Sequence, residues 1–217
     1  MWSAVIIKNM DLKKKLYRFV SDISEEDIRL LELYLQELWR WSQKINLVGV
    51  SSYERLVDEL LADSLISAEF VPEKGTLLDL GSGAGFPALP LKIIRPDVYF
   101  DLVEARSKKA TFLRHIIRSL RLKNIRVIEK RIEDAKKELL SFYDIITFRG
   151  IELVTGLSLA LPYLHKGLIV TFQGKNYKSL ITQIAPWINN MKLKIHQIKE
   201  YTLAGKRRAI LVFSRPF

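Results

Sequence analysis

The sequence contains no cysteine, and this absence excludes several kinds of protein chemistry. Without thiols there is no disulfide framework, no thiolate-ligated zinc or iron–sulfur site, and no cysteine nucleophile. Histidine is also scarce, and the three present, His115, His165 and His196, lack the clustered spacing of a metal site. We therefore expect no metal and no Ser/His/Asp catalytic set. A chain without thiols is compatible with the cytoplasm, where we expect the protein to act.

Long apolar runs are absent as well. Positions 1–7, MWSAVII, are too few for a signal peptide or a membrane span, and Lys8 and Asn9 follow at once. The remaining apolar runs have the length of strands. With 217 residues, of which 48% are hydrophobic, the chain can nevertheless bury a sizeable core. We expect a protein that does not enter the membrane and that is a monomer.

Acidic residues are too few to balance the basic ones. There are 24 Asp and Glu against 35 Lys and Arg, which gives a formal net charge of +11. Residues 21–73 are acidic, with 12 acids and 4 bases, whereas residues 105–131 hold 10 bases and one acid. Because like charges repel unless an anion compensates them, this excess favours nucleic acid or an anionic membrane as partner.

Two regions with different patterns divide the chain. In residues 1–72 the apolar positions recur at helical spacing, and Ser24 followed by three acids is typical of a helix start. A second helix is predicted over residues 53–69. Residues 72–75, PEKG, form a turn. We therefore predict a helical extension over residues 1–72 and a second domain over residues 73–217.

The second region alternates short apolar runs with helical segments. This alternation predicts a parallel sheet with right-handed crossovers. The last two runs are separated only by residues 202–206, TLAGK, so these two strands must be antiparallel. The prediction is an α/β fold with a mostly parallel, seven-stranded sheet that ends in an antiparallel hairpin. The predicted strands lie at 76–80, 99–104, 125–129, 143–148, 167–172, 192–201 and 207–213.

A glycine-rich turn follows the first predicted strand. Residues 79–85 read D-x-G-x-G-x-G, with Asp79 before Gly81, Gly83 and Gly85, and Phe86 next. Glycines allow a sharp turn and a close approach of ligand to backbone. A dinucleotide fold has G-x-G-x-x-G instead, and the Asp79 carboxylate would repel a pyrophosphate.

Acidic residues near this turn favour a cationic ligand with a ribose. Glu104 ends the second strand, where a carboxylate binds ribose hydroxyls in such folds. S-adenosylmethionine carries both a ribose and a positive charge. Ile132 and Glu133 follow the third strand and could flank an adenine ring, or simply begin a helix. A nicotinamide nucleotide and a turn without any ligand remain the alternatives.

Four further motifs are distinctive: W-S-Q-K-I-N-L at 41–47, D-S-L at 63–65, LDLGSGAGFPALPL at 78–91 and E-x-x-x-K-K-x-x-F-L from Glu104 to Leu113. Together they resemble the small-subunit ribosomal RNA methyltransferase G family, also called glucose-inhibited division protein B (GidB). The resemblance extends from about residue 39 to residue 173. The sequence departs from the family pattern at four positions: Leu60 replaces a histidine, Phe148 a serine, Gly150 an alanine and Gln173 a lysine.

The resemblance implies a Rossmann-like class I methyltransferase. It implies transfer of a methyl group from S-adenosylmethionine to N7 of one guanine in the 16S rRNA of the small ribosomal subunit. Family cofactor contacts correspond to Gly81, Phe86, Glu104, Ile132, Glu133 and Arg149. Arg149 is also the predicted catalytic residue, because it could donate to guanine O6 or N7, or else hold the cofactor carboxylate. Guanine N7 carries no proton, so no general base is required.

RNA binding is assigned to two groups of basic residues. Arg106, Lys108 and Lys109 lie beside the glycine turn, and Lys206, Arg207 and Arg208 lie at the terminal hairpin. Phosphate contacts of this kind make affinity fall steeply with salt. Two other functions stay open: a non-catalytic RNA- or ribosome-binding protein with a methyltransferase fold, and a methyltransferase for another RNA or a small molecule.

Overall fold

The structure is a computed structural model and describes residues 13, 15–17, 20, 23–49 and 52–216. The apolar stretch at positions 1–7 lies outside these residues. Helix α1 spans Glu25–Ser42. Its start is fixed by a capping box, in which Ser24 Oγ accepts from Asp27 N at 3.0 Å and the Asp27 carboxylate accepts from Ser24 N at 3.0 Å. The predicted helix start at Ser24 is therefore confirmed.

The second helical segment is continuous but changes its hydrogen-bond pattern along its length. It consists of α2 at Tyr53–Arg55, a π-helical stretch at Leu56–Leu61, α3 at Ala62–Ile66 and a 3₁₀ turn at Ser67–Phe70. The predicted extent, residues 53–69, agrees with this. The π-helical stretch was not predicted, since one extra residue in a turn leaves no mark in the apolar pattern.

Seven strands form one mixed sheet, in the order β3-β2-β1-β4-β5-β7-β6. Strands β1 to β5 are parallel, and β7 runs antiparallel to both β5 and β6. The predicted α/β fold with a terminal antiparallel hairpin is confirmed. The bounds are β1 Gly75–Leu80, β2 Val98–Val103, β3 Ile125–Ile128, β4 Tyr143–Phe148, β5 Leu164–Gln173, β6 Lys194–Leu203 and β7 Lys206–Ser214.

Helices cover both faces of the sheet. They are α4 at Ala88–Ile94, α5 at Ser107–Ser119, α6 at Leu153–Ala160 and α7 at Tyr177–Asn190, with 3₁₀ turns at Ile132–Asp134 and Leu161–Tyr163. None of the helices in the described part of the chain combines the length and apolar character that a membrane crossing requires.

The apolar side chains of the sheet alternate between two cores. Leu77 and Phe100 pack in one core, together with α1, the second helical segment, α4 and α5. Leu78, Leu80 and Phe148 pack in the other core, together with α6 and α7. The helices before residue 72 thus share a core with the sheet. The division into an extension over 1–72 and a domain over 73–217 stays a prediction.

Candidate functional site

A cleft opens at the carboxyl ends of β1, β2 and β4, where open α/β sheets bind ligands. Its volume is about 510 Å³. The glycine turn after β1 forms its floor, and the segment after α1 and the π-helical stretch form one wall. Its lining residues are Leu47, Val48, Gly49, Leu60, Gly81, Ser82, Gly83, Ala84, Phe86, Glu104, Arg106, Lys109, Arg149, Gly150 and Ile151.

The glycine turn needs glycine at its first two positions for backbone reasons. Gly81 has φ +68° and Gly83 has φ +59°, a region that other residues rarely adopt. The amides of Gly81 and Ser82 donate to the Val103 carbonyl at 2.9 and 3.0 Å, which ties the turn to the end of β2. A side chain on Gly83 would extend toward Lys109, whose Nζ lies 3.8 Å from the ideal Cβ position.

Gly85 packs against the core and is absent from the cleft lining, and its contact with the cofactor stays a prediction. A Cβ at this position would lie 2.4 Å from Leu89 Cδ1 and 3.3 Å from Leu113 Cδ2. Its φ is +100°, so a side chain there would be strained in any case. The glycine allows the turn to pack closely on the helices behind it.

Glu104 closes the turn on its β2 side. Its Oε2 accepts from the Gly83 amide and its Oε1 from the Arg106 amide, both at 2.8 Å. The carboxylate is buried and lines the cleft. It therefore lies where the sequence places a ribose-binding carboxylate.

Asp79 lies beneath the turn, near the end of β1. It is buried, its Oδ1 accepts from Thr147 Oγ1 at 2.6 Å, and its Oδ2 has no hydrogen-bond partner among the described residues. Burial raises the pKa of this carboxyl to about 7. The cleft lining does not include Asp79, so any effect on a ligand acts from below the turn.

Helix α1 supports the turn from the other side. Tyr34, which is fully buried, donates from its hydroxyl to the Ala84 carbonyl at 2.8 Å. Its ring lies 5.4 Å from the ring of Phe86, centroid to centroid. Phe86 lines the cleft as predicted.

The other predicted cofactor residues and the first basic group lie at the β2–β3 side. Ile132 packs in the core and Glu133 is exposed, and neither lines the cleft. Their contact with adenine stays a prediction. Arg106 and Lys109 do line the cleft, and Lys108 is exposed beside them.

Arg149 follows β4 and lies on the opposite side of the cleft from Glu104. Its Nη2 lies 2.7 Å from Asp63 Oδ2 and donates to the Glu59 carbonyl at 3.3 Å. Its guanidinium carbon lies 5.6 Å from the centre of the Phe172 ring. Nη1 is buried and has no partner among the described residues. Burial lowers the pKa of Arg149, and Asp63 opposes this shift.

Glu59 and Asp63, two carboxylates of the second helical segment, form ion pairs with basic residues of the terminal hairpin. The sequence did not predict this cluster. Arg208 donates to Asp63 at 2.9 Å and to Glu59 at 3.3 Å. Lys206 Nζ lies 3.3 Å from Glu59, and Tyr201 donates to Asp63 Oδ1. The structure thus places Arg208 and Lys206 on acidic partners, and Arg207 alone of the three is exposed without such a contact among the described pairs.

Comparison with known proteins decides the family. The sequence matches the family described as rRNA small subunit methyltransferase G (GidB) over residues 27–209. The chain belongs to this family. A relative of the name ribosomal RNA small subunit methyltransferase G, from Geotalea uraniireducens (strain Rf4), is 32% identical over 186 residues, which cover 84% of this chain and 85% of that protein. One of the same name from Clostridium perfringens (strain 13 / Type A) is 32% identical over 202 residues, covering 90% and 84%.

Solved structures of other methyltransferases share the fold of this methyltransferase G family member. The M. jannaschii TYW2 structure in complex with AdoMet has a TM-score of 0.60 at 16% identity, covering 78% of this chain and 79% of that one. The precorrin-6y C5,15-methyltransferase of Geobacter metallireducens GS-15 has a TM-score of 0.56 at 12% identity, covering 80% and 95%. The Rossmann-like class I methyltransferase fold is therefore confirmed.

The four departures from the methyltransferase G pattern lie in different surroundings. Leu60 and Gly150 line the cleft. Phe148 is fully buried in the core and does not reach the cleft. Gln173 lines a separate groove of about 420 Å³ at the end of β5. Among the described residues, no group of three or more His, Asp or Glu side chains could hold a metal ion.

Proposed function

We propose that this chain transfers a methyl group from S-adenosylmethionine to N7 of a guanine in the 16S rRNA of the small ribosomal subunit. Membership of the methyltransferase G family supports the reaction and its substrate. The single observation that carries the proposal is the cleft, which joins a glycine turn to a carboxylate on its β2 side and a guanidinium on its β4 side. A ribosomal substrate would be met in the cytoplasm. The monomeric state stays a prediction.

The residues of the cleft fit S-adenosylmethionine. Glu104 offers a buried carboxylate at the strand end where ribose hydroxyls are bound. Beneath the turn, Asp79 Oδ2 has no hydrogen-bond partner among the residues that the structure describes. A positive charge on the ligand would favour the ionised form of this carboxyl. Gly81 and Gly83 expose backbone without a side chain at two positions of the floor. When bound, this cofactor supplies an activated methyl group.

The chain's own residues then act by positioning. Guanine N7 presents a lone pair without a proton, so the reaction needs no general base, and orientation of the two reactants supplies most of the rate. We assign the base to the side of Arg149, whose Nη1 has no partner in the described part of the chain and can donate to the O6 edge of guanine. Leu47, Val48 and Leu60 give one wall of the cleft an apolar lining.

The first turn of α5 supports binding of an anion beside the cleft. A helix N-terminus favours acidic residues, yet α5 has none in its first turn and has Lys108 and Lys109 there, next to Arg106. These cations do not stabilise the helix end, so we assign them to the RNA phosphates. Arg207 extends this assignment to the exposed side of the terminal hairpin.

The proposal is tested by methylation of intact small subunits that lack the modification. We expect labelled methyl groups to enter 16S rRNA and chemical cleavage to map them to 7-methylguanine. Methylation of transfer RNA or a metabolite, with the subunit untouched, would refute the substrate. A thermal midpoint that S-adenosylmethionine does not raise would instead favour the non-catalytic RNA-binding protein, because ligand binding to the native state must raise it.

A further inference from the structure

We infer that Asp63 is a positioning residue for the methyl transfer, because it holds the guanidinium of Arg149 at the acceptor side of the cleft. The inference rests on the proposed function. Asp63 belongs to the D-S-L motif of α3 and lies outside the set of residues that line the cleft. Because its side chain is also fully buried, we expect its effect on a ligand to pass through Arg149.

Asp63 is fully buried and contacts three parts of the chain that are distant in sequence. Arg149 comes from the end of β4, Tyr201 from β6 and Arg208 from β7. A buried carboxylate is tolerated when several donors satisfy it, and losing one partner of such a set leaves the others uncompensated. Together these contacts hold the carboxylate in place, and the guanidinium of Arg149 is bound to it directly.

The guanidinium of Arg149 is restrained on three sides. Asp63 and the Glu59 carbonyl hold Nη2, and the Phe172 ring covers one face. The Glu59 carbonyl belongs to the π-helical stretch. Stretches with this hydrogen-bond pattern are frequent at functional sites of proteins. These restraints leave Nη1 as a buried donor that has no partner among the described residues. A donor held in this way is oriented before any ligand binds.

The strand order assigns this donor to the methyl acceptor. Glu104 follows β2 and Arg149 follows β4, and β1 with its glycine turn lies between these strands. A carboxylate at the end of β2 marks the ribose side of such a cleft. The acceptor base therefore approaches from the β4 side. Asp63 also balances the positive charge of Arg149 there, which would otherwise lie near a positively charged methyl donor.

Asp63→Asn tests the inference, because it preserves the shape of the side chain and removes its charge. We expect kcat/KM for small subunits to fall about 100-fold, the effect of a misplaced reacting group. Cofactor affinity, measured by calorimetry, should stay at the wild-type value. Tyr201→Phe is the matched control: it removes another partner of the same carboxylate, but Tyr201 does not line the cleft and belongs to neither group of basic residues assigned to RNA. It should lower the thermal midpoint and leave kcat/KM close to wild type.

A double-mutant cycle with Arg149→Gln separates positioning from a merely structural role. If Asp63 acts through Arg149, adding Asp63→Asn to Arg149→Gln should reduce kcat/KM no further. Additive losses, or a Tyr201→Phe variant as impaired in kcat/KM as Asp63→Asn, would overturn the inference. Wild-type protein in the same assay separates the two proposals. An inactive wild type refutes the proposed function, whereas an active wild type with an additive cycle refutes only the role of Asp63.

Discussion

The ring of Phe148 occupies the space that a side chain at Gly156 would need. A Cβ on Gly156 of α6 would lie 2.4 Å from Phe148 Cε2 and 2.6 Å from two further ring atoms. The large residue at the end of β4 is thus matched by the absence of a side chain on the helix that covers it. This explains how the chain accommodates phenylalanine where the family pattern has serine, without any change in the lining of the cleft.

Removal of this ring should affect stability far more than binding. Phe148→Ala is expected to lower the free energy of unfolding by about 3–5 kcal/mol, because it empties a fully buried site. Denaturant titration measures this loss, and calorimetry at low temperature should find S-adenosylmethionine affinity unchanged. A variant as stable as the wild type would show that the ring does not fill the core as described.

The affinity for S-adenosylmethionine should depend on pH through Asp79. Its pKa is raised from 3.8 to about 7 by burial, so much of this carboxyl is protonated below neutral pH. A cationic ligand favours the ionised form, so affinity should rise with pH, by up to about tenfold per unit, and level off above pH 7. Calorimetry between pH 5.5 and 8.5 (roughly the range that brackets this pKa) provides the measurement.

Asp79→Asn is the control for this pH dependence. The amide keeps an acceptor for Thr147, and any titration of the cofactor itself is common to both proteins. The variant should bind S-adenosylmethionine more weakly above pH 7 and show a flatter pH profile of affinity.

The free energy of unfolding of the wild type should respond to pH in the opposite sense to the affinity. Because the folded pKa is raised, the unfolded carboxyl ionises first, and the wild type should lose stability relative to the variant as pH rises from 3.8 to about 7. Parallel profiles would contradict the assignment.

Substitutions at Gly83 and at Gly85 should have different effects, the first on cofactor binding and the second on stability. Gly83→Val should abolish binding of S-adenosylmethionine, because a branched side chain enters the cleft floor and the φ of +59° disfavours it. Gly85→Ala should chiefly lower the thermal midpoint, since its Cβ meets Leu89 and Leu113 behind the turn. Thermal scans with and without cofactor measure both effects. Undiminished cofactor affinity in Gly83→Val would show that the turn is not the site.

Arg207 and Lys108 are the informative positions for RNA binding. Both are exposed, whereas reversal of Arg208 would place a third carboxylate beside Asp63 and Glu59. Each of Arg207→Glu and Lys108→Glu should weaken binding of small subunits and reduce the salt slope of log K by about one. Filter binding at several salt concentrations measures the slope. Cofactor affinity should be unaffected, and a simultaneous loss of both would reveal a folding defect.

Local sequence signals predicted the sheet and the turn well. Ser24 and its acids mark the start of α1 because capping involves residues three apart, and the TLAGK turn forces an antiparallel hairpin because it is short. The glycine turn and Glu104 could be found because each follows directly on an apolar run.

Contacts between distant residues could not be found in this way. Asp63 and Arg208 are 145 positions apart, so no spacing rule connects them, although the D-S-L motif did mark Asp63. The basic residues of the hairpin read alike in sequence, yet the fold places Arg208 on carboxylates and leaves Arg207 exposed. Likewise, the three glycines of one motif can be assigned to the cleft or to the core only when the positions of the helices behind the turn are known.

Glu104 accepts hydrogen bonds from the Gly83 amide in the loop after β1 and from the Arg106 amide in the loop after β2. A single carboxylate therefore connects both loops. Folding therefore already restricts the backbone on which the ligand will lie. Little further conformational entropy is lost when the ligand arrives, and a preorganised cleft of this kind binds more tightly than one that must be ordered by its ligand.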